Sequence, residues 1–451
     1  MLPPIGEMRA ALRRAVLDRF EQGHDVADLM ERVEAAPASW DALAALADEL
    51  ERRPLREGWA FVEPSDWEGI CAEADPARPS GPLPGTPGPA ELARRVRAGF
   101  LASVWAKPLE VRLELGQIRA GLGPLGAWPI RGYLSEREIA AVLEGAGVGV
   151  RWPLEFAAER LDAVPADDDL NYSILGMLNL ERHGVGFTHG QLAGLWLEHL
   201  AIGRCYGPER SVLVRLGLAG LGDTMRAAPT DGAGRHAGWL NPLGEYCGAM
   251  IRADAYGYAA AGRPALAAEL AWRDASLTHR RTGIYGAVFA AAAIAAAASE
   301  RDPLRVFSIA LGFVPRGSRF AEAVGEALHE VSLASDWLEG HRRVSAVRGV
   351  AGHGHCRVLR ETGYLMNAVR FAEGVEDGLC KAVMQGLDTD SYGCTAGSIL
   401  GMLFGAEPGA AWLRPFRDEL RTSLAGFTER SLSGVADRMA RLPGGWGPSG
   451  G

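Results

Sequence analysis

The sequence predicts an all-α protein, and three observations support this fold class. Apolar residues recur at helical spacing through most of the 451 residues, whereas alternating β-branched runs are few. Residues 283–298 are mostly alanine over about 16 positions, which is too short for a membrane span and typical of a buried core helix. Two acidic clusters each open an apolar periodic segment, as expected at helix N-termini.

The predicted helices fall into an N-terminal extension and a larger domain. Residues 1–75 form a small helical extension with helices at 8–22, 26–35 and 40–53. The proline- and glycine-rich residues 76–91 are predicted to be a linker or a surface excursion. A compact multi-helix domain at 92–441 precedes a flexible tail at 442–451. Its predicted helices are 91–105, 136–144, 154–161, 170–182, 190–199, 210–218, 259–273, 283–299, 303–313, 318–338, 363–373, 375–385, 391–405 and 413–439.

Composition narrows the possible partners. The chain is 48% hydrophobic and 23% charged, which is ordinary for a globular protein. Its formal charge of −9 argues against nucleic acid or an anionic membrane as the main partner. Six scattered cysteines without a CxxC pair indicate free thiols, and no signal peptide is visible, so a cytoplasmic location is expected.

The most informative segment is 386–391, which reads Gly-Leu-Asp-Thr-Asp-Ser and continues into small residues. It places three oxygen donors, Asp388, Asp390 and Ser391, within four positions. An EF-hand loop is excluded, because Tyr392 and Ile399 occupy its fifth and twelfth positions, which require an oxygen ligand and a glutamate. Helix capping is the simpler alternative, but a cap needs only one such residue.

A second acidic cluster, Asp167, Asp168 and Asp169, lies about 220 residues upstream. Alone it would be a common solvated helix start, but its pairing with 388–391 favours one shared metal site. All candidate ligands are oxygen and none is a nearby histidine or cysteine, so Mg²⁺ or Mn²⁺ is favoured over Zn²⁺. Five carboxylates neutralise two divalent ions, and a two-metal site is therefore predicted.

Three further segments are weaker candidates for contact with a ligand. Gly248, Met250 and Arg252 lie in a small-residue stretch where backbone amides can approach a ligand and an arginine can pair with phosphate. His279 precedes the alanine-rich helix, where a lone histidine is more often structural. Residues 107–110 would normally form a surface turn.

These segments, in this order, resemble the ADP-ribosylglycohydrolase family, which includes the dinitrogenase reductase-activating glycohydrolases. The family's early G-x-P-x-E-like element, its T-D-D-T helix start, its G-x-x-M-R loop, its L-T-H element and its G-x-D-T-D-[TS] segment have counterparts here at 106–110, 167–170, 248–252, 277–279 and 386–391. The Asp-Asp-Asp-Leu-Asn-Tyr segment at 167–172 is similar to that of a bacterial branch. The resemblance covers roughly residues 92–405.

The resemblance implies two Mg²⁺ or Mn²⁺ ions in a cleft and hydrolysis of an N- or O-glycosidic bond at the anomeric carbon of an ADP-ribosyl-type substrate. It implies the following site residues: Asp167, Asp168, Asp169, Asp388, Asp390 and Ser391 for metal; Glu110, Asp168 and Asp390 for catalysis; Gly248, Met250, Arg252, His279 and Gly386 for substrate.

The sequence departs from the family pattern at three places. Asp167 replaces a threonine, Leu387 replaces a glycine and is predicted to narrow the cleft, and 353–357 lacks an asparagine pair. The substrate therefore stays open between ADP-ribose on a protein side chain and a small nucleoside or NAD-derived metabolite. A non-catalytic, metal-stabilised relative is the third alternative. The extension is expected to cap the cleft, recruit a partner or mediate self-association.

Overall fold

The structure, a computed structural model, describes residues 4–105, 113–146, 156–219, 239–350 and 356–444. Within these ranges the chain forms α-helices and short 3-10 helices, with isolated β-bridges and no sheet. The predicted all-α class is therefore confirmed. None of the helices in these ranges combines the length and the apolar character needed to cross a membrane.

The α-helices are numbered in chain order: α1 Ile5–Glu21, α2 Leu29–Ala35, α3 Trp40–Arg52, α4 Trp67–Glu73, α5 Pro89–Ser103, α6 Leu115–Leu122, α7 Glu136–Ala146, α8 Asp168–His183, α9 His189–His199, α10 Gly207–Leu218, α11 Asp254–Ala259, α12 Pro264–Ala275, α13 Thr282–Ala297, α14 Pro303–Leu311, α15 Arg319–Leu333, α16 Trp337–Ala346, α17 Val358–Arg370, α18 Val375–Met384, α19 Thr389–Phe404, α20 Ala410–Leu413 and α21 Leu432–Arg441.

Two buried helices form the centre of the fold. Every residue of α13 is buried, as its alanine-rich sequence predicts, and neighbouring helices surround it. Helix α19 is buried along almost its whole length and packs against α5. Small residues permit this approach, because a Cβ on Gly397 would lie 2.5 Å from the carbonyl oxygen of Ala102. The N-terminus of α19, which carries the second acidic cluster, is thereby held inside the protein.

The N-terminal extension has a small apolar core of its own. Residues such as Leu12 of α1, Val33 of α2 and Leu43 of α3 pack together with Leu240 of the larger domain. Helix α4 instead joins the main core through Ile70. The division of the chain at residue 75 stays a prediction.

The proline- and glycine-rich stretch is bound to the surface of the main domain. The Leu83 amide donates to the carbonyl of Gly262, and the hydroxyls of Thr86 and Ser299 lie 2.9 Å apart. At the other end of the domain, Leu442 is buried, while residues 445–451 of the predicted tail lie outside the described residues.

Several predicted helices are wrong in extent. Residues 318–338 form two helices, because the chain turns extended at Ala334 and Asp336 caps α16. Residues 413–439 do not form one helix: Arg417 and Asp418 have positive φ angles, and α21 starts only at Leu432. Residues 259–273 span the break between α11 and α12 at Gly262, and the described part of 154–161 is turn. In these segments caps and turns override apolar periodicity.

Candidate active site

Both acidic clusters line one cavity of about 870 Å³. Asp167 and Asp168 reach it from the start of α8, and Asp388, Asp390 and Ser391 reach it from the start of α19. The structure thus brings together two clusters that are about 220 residues apart in sequence. This is the arrangement that a split metal site requires.

Helix capping explains only one residue of the first cluster. The Asp167 carboxylate accepts a hydrogen bond from the Leu170 amide at 2.9 Å, which is a normal N-cap interaction. The carboxylates of Asp167, Asp168 and Asp169 lie within 4.8 Å of one another, and Asp169 is buried. Three acids packed this closely repel one another, so a cation at this position would lower their free energy.

The second cluster is more deeply buried than the first. Asp388 occupies the N-cap position of α19, but its side chain makes no capping hydrogen bond. Its Oδ2 atom instead accepts the Ser391 hydroxyl at 3.1 Å. Asp388 and Asp390 are only 3% and 6% exposed, and buried carboxylates require compensation by charge or hydrogen bonds. The oxygen donors of the two clusters fit hard divalent cations such as Mg²⁺ or Mn²⁺.

The prediction that no cysteine lies near these carboxylates is wrong. The thiols of Cys356 and Cys247 lie 2.8 and 3.8 Å from Asp388 Oδ2, and the buried Glu361 of α17 completes a group of four. The hydrogen bond with Cys356 and burial raise the pKa of Cys247 well above its usual value, and burial and then Asp388 raise that of Glu361. These residues are far apart in sequence, so no local spacing identifies them.

Of the residues predicted to bind substrate, Gly248 lines the cavity. A Cβ at this position would lie 2.5 Å from Oε1 of Glu209, which is also part of the cavity wall. Glycine therefore permits the close approach of this backbone to the Glu209 carboxylate, which any larger residue would displace. Met250 and His279 are buried and lie outside the described lining, and their substrate role stays a prediction.

Arg252 supports the cavity from behind. It is 2% exposed, and its guanidinium pairs with Glu209 and Asp274 and donates to the Thr278 hydroxyl at 2.6 Å. It also stacks over the ring of Trp196. The charge of Arg252 is thus balanced by buried carboxylates inside the protein, and its ion pair positions Glu209. Arg252 lies outside the described cavity lining, and its contact with substrate stays a prediction.

The backbone conformation at residues 386 and 387 favours glycine, which explains why a glycine is common at the position that Leu387 occupies here. Both residues have positive φ, +84° and +70°, a conformation that costs little only for glycine. A Cβ on Gly386 would lie 1.9 Å from the Leu113 carbonyl oxygen. The Leu387 side chain packs in the main core and is outside the described cavity lining, so its predicted narrowing of the cleft has no support. Glu110 lies outside the described residues.

Helix α1 forms a further wall of the cavity, and the sequence did not identify the individual residues of this wall. Arg14, Leu17, Asp18 and Glu21 face it. Asp18 accepts a hydrogen bond from the Leu243 amide at 2.6 Å, and Glu21 pairs with Arg357 of the main domain at 2.6 Å. Burial, followed by the nearby Glu245, raises the pKa of Asp18 to about 6.

The fold and the site define an all-α protein whose cavity is lined by two acidic clusters, that is, by oxygen donors. A family model for ADP-ribosylglycohydrolases matches residues 90–447, most of the chain, and the protein belongs to this family. It is accordingly a glycosidase, and the family acts on ADP-ribosyl-type substrates.

Two further comparisons were made with known proteins. A solved structure described as an ADP-ribosylglycohydrolase-related protein complex is similar at 18% identity and a TM-score of 0.46, over 78% of this chain and 99% of that chain. None of the curated proteins matches this chain.

Proposed function

We propose that the protein hydrolyses a glycosidic bond at the anomeric carbon of an ADP-ribosyl-type ribose with the help of two Mg²⁺ or Mn²⁺ ions. Asp168, Asp169, Asp388 and Asp390 would hold the ions, with Asp167 and Ser391 at the edge of the site. The observation that carries this proposal is the single cavity lined by both acidic clusters. Hard oxygen donors that reach one cavity from two helix starts suit a binuclear centre.

When bound, such ions orient ribose hydroxyls and lower the pKa of an attacking water. The protein side chains provide the rest of the chemistry. Cleavage passes through an oxocarbenium-like state, which anionic carboxylates such as Asp168 and Asp390 stabilise by charge. The Ser391 hydroxyl fixes the orientation of Asp388. We retain Glu110 as the proposed acid or base that transfers the proton.

The charges around the cavity favour a diphosphate-bearing substrate over a simple nucleoside. Arg14 and Arg204 line the cavity together with the acidic clusters, and Arg357, which also lines it, is paired with Glu21. Arginine pairs with phosphate oxygens in a bidentate geometry, and a volume of about 870 Å³ is within the usual range for ligand sites. A nucleoside or NAD-derived metabolite is the second candidate, since α1 closes one side of the cavity.

We further propose that the N-terminal extension caps the substrate cleft. Four residues of α1 face the cavity, and the Glu21–Arg357 pair ties α1 to the main domain. This choice among the three roles expected from the sequence rests on those contacts. The cytoplasmic location and the absence of a nucleic-acid partner stay predictions.

The test is hydrolysis of a substrate panel with added Mg²⁺ or Mn²⁺: ADP-ribosyl-arginine, ADP-ribosyl-serine, NAD and simple nucleosides. We expect metal-dependent release of ADP-ribose from at least one ADP-ribosyl compound and no turnover of nucleosides. Turnover of nucleosides alone would establish the second candidate. Turnover that is unaffected by chelator and by Asp388→Asn would refute the metal-dependent mechanism.

A further inference from the structure

We propose that Cys247, Cys356, Glu361 and Asp388 form a second metal site, which binds one thiophilic divalent cation of the Zn²⁺ class. The site shares Asp388 with the proposed Mg²⁺ or Mn²⁺ centre. It goes beyond the proposed function, because its two sulfur ligands select a different kind of ion. Occupation of this site would withdraw Asp388 from the proposed Mg²⁺ or Mn²⁺ centre, called the hard-metal centre below, and so inhibit the glycosidase.

The four side chains already have the spacing of a metal site. One ligand atom from each residue lies within 4.8 Å of the other three. A tetrahedral Zn²⁺ has bonds of about 2.3 Å to sulfur and about 2.0–2.2 Å to oxygen, so its ligands are roughly 3.3–3.8 Å apart. Small side-chain shifts bring all four donors into this geometry. Two thiolates and two carboxylates complete the four-coordinate set.

The burial of Glu361 supports a metal site independently of the spacing of the four side chains. Its side chain is fully buried on α17, and among the described residues neither carboxylate oxygen finds a hydrogen-bond partner of normal geometry. Burial of a carboxyl group is costly, and the looser contacts of Glu361 with the Cys247 thiol and the Cys356 backbone do not offset this cost. Coordination of a cation at the centre of the four residues accounts for it.

The cluster can be reached from the cavity. Cys247, Cys356 and Asp388 belong to the cavity lining, whereas Glu361 closes the site from behind. A cation that enters the cavity therefore meets both sulfurs and Asp388 before Glu361. Each cysteine binds as a thiolate, so its proton passes to the solvent when the metal binds.

Donor chemistry separates this site from the hard-metal centre. Thiolates favour Zn²⁺ and related soft ions, whereas Mg²⁺ and Mn²⁺ favour carboxylates and water. The three aspartates at the start of α8 offer only oxygen, while two of the four donors here are sulfur. The two kinds of cation therefore prefer different sets of donors and compete only for Asp388.

The test is a Co²⁺ titration of the chelator-treated, full-length protein under reducing conditions and without substrate. Tetrahedral Co²⁺ is a spectroscopic substitute for Zn²⁺, and thiolate ligation gives a charge-transfer band that oxygen ligands do not give. We expect the band to saturate at about one equivalent and to disappear when Zn²⁺ is added. Absence of the band in the wild-type protein would overturn the proposal whatever the behaviour of the variants.

Matched variants identify the ligands. Cys247→Ser and Cys356→Ser are expected to abolish the band, and Glu361→Gln to weaken Co²⁺ binding about 10-fold or more. Cys71→Ser, which changes a thiol on α4 outside the cluster, should retain the wild-type band. An undiminished band in Cys247→Ser or Cys356→Ser would contradict the assignment. Because no substrate is present, failure of the glycosidase proposal leaves this result intact, and the reverse also holds.

Discussion

Two walls of the same cavity differ in origin and in chemistry. The wall built by the starts of α8 and α19 lies within the family-matched residues and carries the two acidic clusters. The wall built by α1 lies outside the matched residues and contributes Arg14, Leu17, Asp18 and Glu21. The difference suggests a division of labour: the matched wall performs the bond cleavage, and the added wall shapes what can enter.

The largest expected effect is on the matched wall. Asp168→Asn or Asp388→Asn should each lower kcat by at least about 100-fold, because each removes an anionic donor from the proposed metal centre. The measurement is steady-state hydrolysis at saturating Mn²⁺. Asp162→Asn, which changes a half-buried residue paired with Arg421 outside the cavity lining, should retain wild-type activity. Equal activity in all three variants would remove the distinction between the walls.

The buried ion pairs of Arg252, which lie behind the matched wall, should contribute to the free energy of unfolding. Arg252→Met leaves Glu209 and Asp274 buried without their cation, and we expect a loss of about 3–5 kcal/mol in the free energy of unfolding. Urea denaturation measures this loss. Arg182→Met, at an exposed pair with Glu198, should cost no more than about 1 kcal/mol. If the two substitutions cost the same, Arg252 is not a structural cation.

The added wall should make stability depend on pH through Asp18. Its pKa of about 6 in the folded protein lies above the ordinary aspartate value of 3.8, so the folded state binds the proton more tightly than the unfolded state. This stabilisation is complete below pH about 4 and is lost as pH rises through about 6, by as much as ~3 kcal/mol.

Asp18→Asn is expected to flatten the pH profile of urea denaturation between these values, because the amide oxygen still accepts from the Leu243 amide but cannot titrate. Asp41→Asn, at an exposed position of α3, should keep the wild-type profile. An unchanged profile in Asp18→Asn would show that Asp18 does not titrate in this range.

The smallest effect is expected on KM, when a residue of α1 at the substrate cavity is replaced. Arg14→Ala should raise KM for an ADP-ribosyl substrate by about 10-fold, or ~1.4 kcal/mol, with little change in kcat. The neighbouring Arg13 pairs with Glu34 and lies outside the described lining, so Arg13→Ala is the matched control. A fall in kcat without a change in KM for Arg14→Ala would place α1 in the chemical step instead.

Motifs with a fixed local spacing were predictable, and contacts between distant segments were not. The acids at 167–169 and 388–391 could be recognised because each cluster is contiguous, and the buried character of α13 follows from its alanine content. Cys247, Cys356 and Glu361 meet only through the packing of α17 against the rest of the core. The role of Arg252 was obscured for the same reason, since Glu209 and Asp274 reach it from other helices.

The central claim is that both acidic clusters share one metal centre. Its most direct test is a Mn²⁺ titration of the chelator-treated protein, in which electron paramagnetic resonance measures the concentration of free Mn²⁺. A single centre shared by both acidic clusters predicts about two bound Mn²⁺ per chain, and weaker binding of both ions in Asp168→Asn and in Asp388→Asn alike. No bound Mn²⁺ in the wild-type protein, or unchanged binding in both variants, would contradict the account.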